Sequence, residues 1–483
     1  MNKSVIGRYL GRLLGLISIA MVPSLFIALI KGEWRALLAF LATALVQGVV
    51  AYLMTKIPVK DPKIYSREGL VIVALSWVLI SLFGALPMWL SGAIPSYVDA
   101  LFETVSGFTT TGASILSDVE ALPLSVLFWR SFSHFLGGMG VLVLVLALAP
   151  SEKGSGMSLH IMRAESTGPV VGKLSPKISF TARILYIMYI ALTLIEFIFL
   201  LCGGMGFMDA LLTSFGTAGT GGFGIRNDSM ASFSPYCQTV TAIFMALFGI
   251  NFSMFYLLLI GDIKSVWKNA ELRLYLGAIF CSTALIALFT RGFFGSWGET
   301  LRHAFFQVSS IITTSGFSTY NYELWPEVTH FVIILLMFMG GCAGSTAGGI
   351  KAARVLILWK SAKADIKRTI HPRSVSVETL GGEMLDRATI RSCTTFFVVY
   401  FFLLMLSTFL LSFEGHGFTT NFTATLACLN NVGPGFEKVG PACNFGFFTP
   451  FSKIVLIVDM LFGRLEIFPL LLTLLPSTWR KGR

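Results

Sequence analysis

The chain has 483 residues, 55% of them hydrophobic and 13% charged, with a mean hydropathy of +0.77. That leaves too little polar surface to cover a water-soluble globule, and apolar runs of about twenty residues, long enough to cross a bilayer core as helices, recur along it. The formal charge of +11 is not a nucleic-acid footprint, because the basic residues fall in alternate connections between apolar runs, as the positive-inside rule requires. They are Lys3, Arg8 and Arg12, then Lys56, Lys60, Lys63 and Arg67, then Lys153, Arg163, Lys173, Lys177 and Arg183. Lys264, Lys268 and Arg273, a dense group between 351 and 391, and Arg480, Lys481 and Arg483 follow. The distribution predicts a multi-pass membrane protein with both termini cytoplasmic. Seven cysteines without ligand spacing indicate neither a disulfide framework nor a zinc site.

In chain order, residues 1–62 hold two apolar helices, about 8–30 and 35–56, joined by a Lys-Gly-Glu turn. The basic-then-apolar start resembles a signal peptide, but it lacks a small-residue cleavage site and another span follows at once, so it reads as a retained helix. These two helices carry no repeat motif and read as a peripheral pair.

Four similar units follow, at 63–150, 151–262, 263–388 and 389–483. Each reads as a full helix, a short apolar segment too short to cross, a Gly-centred loop and a second full helix. The expected pairs of spans are 68–90 and 123–150, 180–201 and 236–260, 272–289 and 326–359, and 394–413 and 451–475. Twelve residues before each of Gly112, Gly222 and Gly316 stands an alanine, and the loops read TTTGA, TGGF and TTSGF. A weaker fourth copy ends Leu429-Asn-Asn-Val-Gly433-Pro. The fold expected is all-α, with about ten transmembrane helices and four re-entrant pore helices around one central pore. The stretch 360–391 reads as a basic cytoplasmic surface.

Irregular backbone at membrane depth is tolerated only where it lines water or is buried in protein. Thr- and Gly-rich loops offer carbonyls and hydroxyls without fixed charge, and rings of backbone carbonyls replace the hydration shell of a potassium ion. Glycine turns successive carbonyls toward one axis, and the C-termini of the short helices favour a cation there. Close packing of small residues accounts for a lone pair such as Gly137-Gly138 but not for four matched loops. Gly219-Thr-Gly221-Gly-Phe-Gly224 matches a dinucleotide fingerprint by letter only, since no strand–turn–helix frame surrounds it.

The motifs Thr109-Thr-Thr-Gly112-Ala, Gly221-Gly222-Phe, Thr313-Thr-Ser-Gly316-Phe and Asn430-Asn-Val-Gly433-Pro-Gly carry a family resemblance. So do Gly340-Gly-Cys-Ala-Gly-Ser-Thr-Ala-Gly-Gly349 and Leu461-Phe-Gly-Arg464-Leu-Glu-Ile-Phe. Over essentially its whole length the chain resembles the Trk/Ktr/HKT superfamily of potassium transporters, and within it the bacterial Trk potassium-uptake membrane subunits. The resemblance implies a single-chain pore, usually homodimeric, in the bacterial cell (inner) membrane, with a cytoplasmic RCK-type nucleotide-binding regulatory ring. It places ion-coordinating backbone at Thr110, Thr111 and Gly112; Thr220, Gly221 and Gly222; Thr314, Ser315 and Gly316; and Asn431, Val432 and Gly433. No catalytic residue and no cofactor beyond the transported potassium ion is expected. The glycine-rich second loop departs from the pattern and could loosen its quarter of the filter.

Five glycines in ten residues argue for a break within 326–359, at Gly340, Gly341, Cys342, Ala343, Gly344, Ser345, Thr346, Ala347, Gly348 and Gly349. Arg464 lies too deep in the last span to reach either interface, so loop and arginine together read as a gate under the filter. The alternative for Arg464 is a packing pair with Glu466 or Asp459. Glu103 and Glu437 flank pore loops and read equally as cation-concentrating groups at the mouth or as solvated carboxylates. His134 and His303 are expected in ordinary polar contacts. Glu196, Asp459, Arg464 and Glu466 within the spans form no nucleophile–base set, which argues against an enzyme. A sodium- or proton-coupled carrier is the second reading.

Overall fold

The computed structural model describes residues 1–59, 65–140, 178–371, 379–380 and 383–479. Among these, six helices are long and apolar enough to cross a membrane: Lys3–Lys31, Trp34–Thr55, Arg67–Leu90, Thr181–Cys202, Ala270–Phe293 and Arg387–Ser412. The first is kinked at Met21, where Pro23 in the opening turn of Val22–Lys31 withholds a backbone donor. It packs against both Trp34–Thr55 and the first helix of the first repeat, and Ser18 and Gln47 hydrogen-bond across the pair to Ala44 O and Leu14 O.

The last four of these long helices are the outer helices of the repeats. Each leads to a short pore helix: Tyr97–Phe108, Phe207–Gly219, Trp297–Ile312 and Phe418–Leu429. After the pore loop comes an inner helix: Leu124–Gly138, Pro235–Phe248, Glu327–Met339 or Pro450–Arg464. A proline stands at the cap or first turn of every inner helix (Pro123, Pro235, Pro326 and Pro450), where its fixed φ suits helix entry and its missing N–H is not needed.

Burial is inverted relative to a soluble protein. The outer helices expose Ile187, Ile198, Phe280, Leu288, Phe402 and Phe409, whereas Thr and Ser of the pore helices and loops are buried at the centre. Thr104, Thr217, Thr313 and Thr425 are satisfied locally, each donating to the carbonyl four residues earlier.

Two inner spans depart from the straight helices expected at 236–260 and 451–475. The second repeat's bends by 93° between Phe248 and Phe252. The helix ends at Gly249, and the Asn251 side chain restarts it by accepting from Ser253 N (2.8 Å). The fourth repeat's inner helix stops at Arg464, with Glu466 and Ile467 at φ +54° and +68°, and resumes as Phe468–Leu474 around Pro469. The third repeat's span is interrupted where the glycines predict, and then continues as Ala352–Ile370, well into the stretch expected as polar linker. A two-residue antiparallel ribbon pairs Thr379 with Met384. The expected extension of the first inner span to 150, and Lys60, Lys63, Lys153, Arg163, Lys173, Lys177, Arg480, Lys481 and Arg483, lie outside the described residues.

Candidate functional site: four pore loops and the loop beneath them

All four pore helices end in one pattern. The amides of Thr110, Thr220, Thr314 and Asn431 bond the carbonyl three residues back, at 2.9–3.2 Å, and those of Thr111, Gly221, Ser315 and Val432 bond the carbonyl five back, at 2.7–2.9 Å. This is the Schellman cap, which turns the chain through a left-handed residue. Here that residue is not glycine: Thr110, Thr220, Thr314 and Asn431 have φ of +56°, +53°, +58° and +54°. A non-glycine residue pays roughly 1–2 kcal/mol for this conformation. Two residues on, Gly112, Gly222, Gly316 and Gly433 are left-handed too, at +78°, +72°, +79° and +99°.

The glycines also close the loops on one another. A Cβ on Gly112 would lie 2.0 Å from Gly221 O, one on Gly222 1.7 Å from Ser315 O, one on Gly316 2.4 Å from Val432 O, and one on Gly433 2.8 Å from Thr111 O. Each glycine thus abuts the carbonyl of the residue before the glycine in the next loop, and the fourth abuts the first. The twelve residues expected to form the filter are brought together in a cyclic order, all buried or nearly so.

The shell around the ring corrects several expectations. Glu103 is fully buried rather than at a mouth: it pairs with Arg130 (2.5 Å) and accepts from Ser114 Oγ and Ile115 N. Arg130 in turn donates to Gly224 O (2.8 Å) and lies over the Phe223 ring, so this pair ties the first loop to the second. Glu437 is exposed and accepts from Thr420 Oγ1 (2.8 Å). His134 bridges Gly107 O (2.7 Å) and Phe223 N (3.3 Å), which makes Nδ1 the donor and Nε2 the acceptor. The extra glycines of the second loop make room for it: a Cβ on Gly219 would meet His134 O at 2.4 Å and one on Gly221 the ring at 2.3 Å. Close packing, not looseness, accounts for them. His303 bonds Thr319 Oγ1 (2.9 Å) and stacks on Phe294.

Beneath the ring lies the glycine-rich loop. Gly340, Gly344 and Gly349 take φ of +67°, +69° and +77°, and Gly341 O accepts from Ala352 N. Cys342 N donates to Gly249 O (2.9 Å), and Gly344 O accepts from Phe252 N (3.2 Å), so the loop fills the elbow of the bent second inner span. Ser345 bonds back to Cys342 O, Thr346 Oγ1 reaches Phe248 O, and Ala347 O receives the Lys351 ammonium. Gly348 N donates to Thr314 Oγ1 (2.7 Å) and Gly349 N to Asn430 O (3.0 Å), which seats the loop directly on the third and fourth pore loops.

Arg464 joins the loop to the remaining parts. Its guanidinium donates to Thr346 O (3.1 Å), to Gly137 O and Gly138 O (2.7 Å to the latter), and toward Thr110 Oγ1 (3.5 Å). Glu466 pairs with Arg354, and Asp459 accepts from Ser407 Oγ. The Gly137-Gly138 pair packs closely as expected, against Phe108 O and Gly219, and in addition offers carbonyls to a cation, which sequence reasoning missed. A signal existed. Fourteen residues after each inner-helix proline stand Gly137, Gly249, Gly340 and Arg464, so the arginine occupies a position that is glycine in the other three repeats.

Four quarters of one apolar chain, each with a re-entrant helix capped onto a shared ring of backbone, define a pore-loop membrane protein. The chain belongs to the TrkH family, described as cation transport proteins, whose model matches residues 35–290 and 294–481. It is similar to the Trk system potassium uptake protein TrkH of Escherichia coli K12, 36% identical over 489 residues and 100% of both chains. It is 34% identical to Trk system potassium uptake protein TrkG of the same organism, over 99% of this chain and 100% of that one. The crystal structure of the potassium transporter TrkH from Vibrio parahaemolyticus superposes with a TM-score of 0.89 at 32% identity, covering 99% of this chain and 100% of that chain.

Proposed function

We propose that the chain is the potassium-conducting membrane subunit of a Trk-type uptake system, in the inner membrane of a bacterium with both termini cytoplasmic. The observation that carries this reading is the closed ring of four left-handed loops, whose carbonyls crowd one place without any carboxylate among them. Such a ring strips and replaces the hydration shell of a monovalent cation. Filter residues Thr110–Gly112, Thr220–Gly222, Thr314–Gly316 and Asn431–Gly433 supply those oxygens, and no cofactor takes part. The subunit works as a homodimer and docks a cytoplasmic nucleotide-binding ring of the RCK type through its basic face.

The loop 340–349 and Arg464 are the gate. A guanidinium within reach of Thr110 stands just under the ring. At a separation of about 6 Å and an effective dielectric of about 20, it would raise the energy of a cation by about 3 kcal/mol. That is roughly a hundredfold in occupancy. Reconstitution of the purified subunit in liposomes, with each cation varied alone, tests both points. Potassium should be preferred over sodium, and Arg464→Ala or a shortened 340–349 loop should conduct roughly a hundredfold faster without the partner. Flux at or below wild type in folded protein overturns the gate. Obligatory dependence on sodium or a proton gradient overturns the channel reading in favour of a coupled carrier, which would use the same broken inner helices.

A further inference from the structure

We propose that Glu271 is the positioning residue that holds the loop 340–349 under the filter, an inference that rests on reading that loop as the gate. Glu271 lies in the first turn of the third repeat's outer helix, Ala270–Thr290, far in sequence from the loop. A single carboxylate oxygen, Oε1, accepts both Ala343 N–H (2.6 Å) and Ala353 N–H (3.1 Å). Those amides are ten residues apart and stand on opposite sides of the loop's contacts with the filter. One oxygen therefore draws the two limbs of the loop together.

The helix Ala352–Ile370 explains why an outside carboxylate is needed. Its cap position is Lys351, held at φ +78°, and no side chain there satisfies the first amides. A lysine carries donors only, and its ammonium is turned back to Ala347 O within the loop. The opening turn of a helix leaves amides without intrahelical partners and carries partial positive charge. Glu271 supplies the missing acceptor from another repeat, and its negative charge is favoured at that end. Ala343 and Ala353 are both nearly fully buried, so water does not readily replace the carboxylate. Withdrawing it strands two amides at once and frees Cys342-Ala343 to leave the Gly249 elbow. Left-handed Lys351, strained where it stands, relaxes in the same movement.

Two readouts on the full-length reconstituted protein test the proposal, one of them independent of conduction. Cys342 is buried in the seated loop. Its rate of modification by a water-soluble maleimide, followed by mass spectrometry of the peptide that contains it, reports whether the loop is seated. Glu271→Ala should raise both this rate and the partner-free potassium flux about tenfold, because hydrogen bonds to a charged acceptor are lost. Glu271→Gln keeps an acceptor at the same place and should restore most of the protection, which a general loss of stability would not show. Adding Glu271→Ala to the shortened loop should change flux no further. If the shortened loop conducts faster while Glu271→Ala matches wild type in flux and labelling, the inference fails and the gate stands. If Arg464→Ala and the shortened loop leave flux unchanged, the gate fails, and Cys342 protection in Glu271→Ala still decides whether the carboxylate seats the loop. Should Glu271→Ala not fold, Glu271→Asp, one methylene shorter, must label faster than wild type; equal labelling overturns the proposal.

Discussion

Replacing each of the four ring glycines by alanine in turn gives a graded perturbation that the geometry orders in advance. At all four sites φ is positive, so the alanine pays roughly 1–2 kcal/mol for its backbone alone. What differs is the room. The new methyl would lie 1.7 Å from a carbonyl oxygen at Gly222, 2.0 Å at Gly112, 2.4 Å at Gly316 and 2.8 Å at Gly433. Carbon–oxygen contacts settle above about 3 Å, so the neighbouring carbonyl must retreat by about 1 Å in the first two variants and by a few tenths in the last. A carbonyl displaced that far no longer meets the ion its three partners meet. The potassium-to-sodium permeability ratio should therefore fall at least tenfold in Gly222→Ala and Gly112→Ala, about 1.4 kcal/mol, less in Gly316→Ala, and least in Gly433→Ala. Reversal potentials in planar bilayers, or rubidium and sodium uptake into liposomes, measure it. Four unchanged ratios in conducting protein, or a larger loss at Gly433 than at Gly222, would refute the assignment of this ring as the selective element.

Three further outcomes follow from contacts elsewhere. Glu103→Gln leaves Arg130 buried without its counter-charge and should lower stability by about 3–5 kcal/mol, seen as a depressed thermal midpoint in detergent; Glu103→Gln with Arg130→Met should recover most of it. Thr314→Ala removes the acceptor for Gly348 N–H and should raise partner-free flux about fivefold, for about 1 kcal/mol, whereas Thr220→Ala, whose hydroxyl bonds only Gly219 O, should not. Charge reversal at Lys363, Lys367 and Arg368, exposed on the helix Ala352–Ile370, should abolish capture of the regulatory ring proposed as partner, and full retention would remove that surface from the proposed docking site.

The repeat architecture was legible because it rests on one-dimensional signals: span length, a short apolar segment and a glycine at a fixed distance behind it. The interruption at 340–349 was legible for the same reason, since glycine is costly in a helix. What escaped depends on partners distant in sequence. The left-handed threonines could not be read, because threonine does not prefer that conformation and only the shared cap imposes it. Glu103 read as an exposed carboxylate, at the mouth or in a solvated loop, because Arg130, its partner, is 27 residues away on another helix. The bend at Gly249–Asn251 hid in a mostly apolar stretch, where a lone glycine is weak evidence, although Gly249 stands at the same distance from its proline as Gly137 and Gly340 do from theirs. Glu271 gave no signal, since a carboxylate in a first helical turn reads as an ordinary dipole partner.

Carrying four quarters in one chain lets the stoichiometry of a charge differ from the symmetry of the ring. Arg464 stands where the other repeats have Gly137, Gly249 and Gly340. A pore assembled from four identical subunits would have to place four guanidiniums around one axis or none. Each adjacent pair, about 6 Å apart in surroundings of effective dielectric about 20, would repel by about 3 kcal/mol, enough to splay the helices that carry them. With one arginine and three glycines at this position, one guanidinium sits beneath the ring, and two of the carbonyls that hold it come from Gly137 and Gly138 of the first repeat. The sequence divergence among the repeats thus has a physical use, since only unequal quarters can hold one guanidinium, rather than four, near the centre of a fourfold ring.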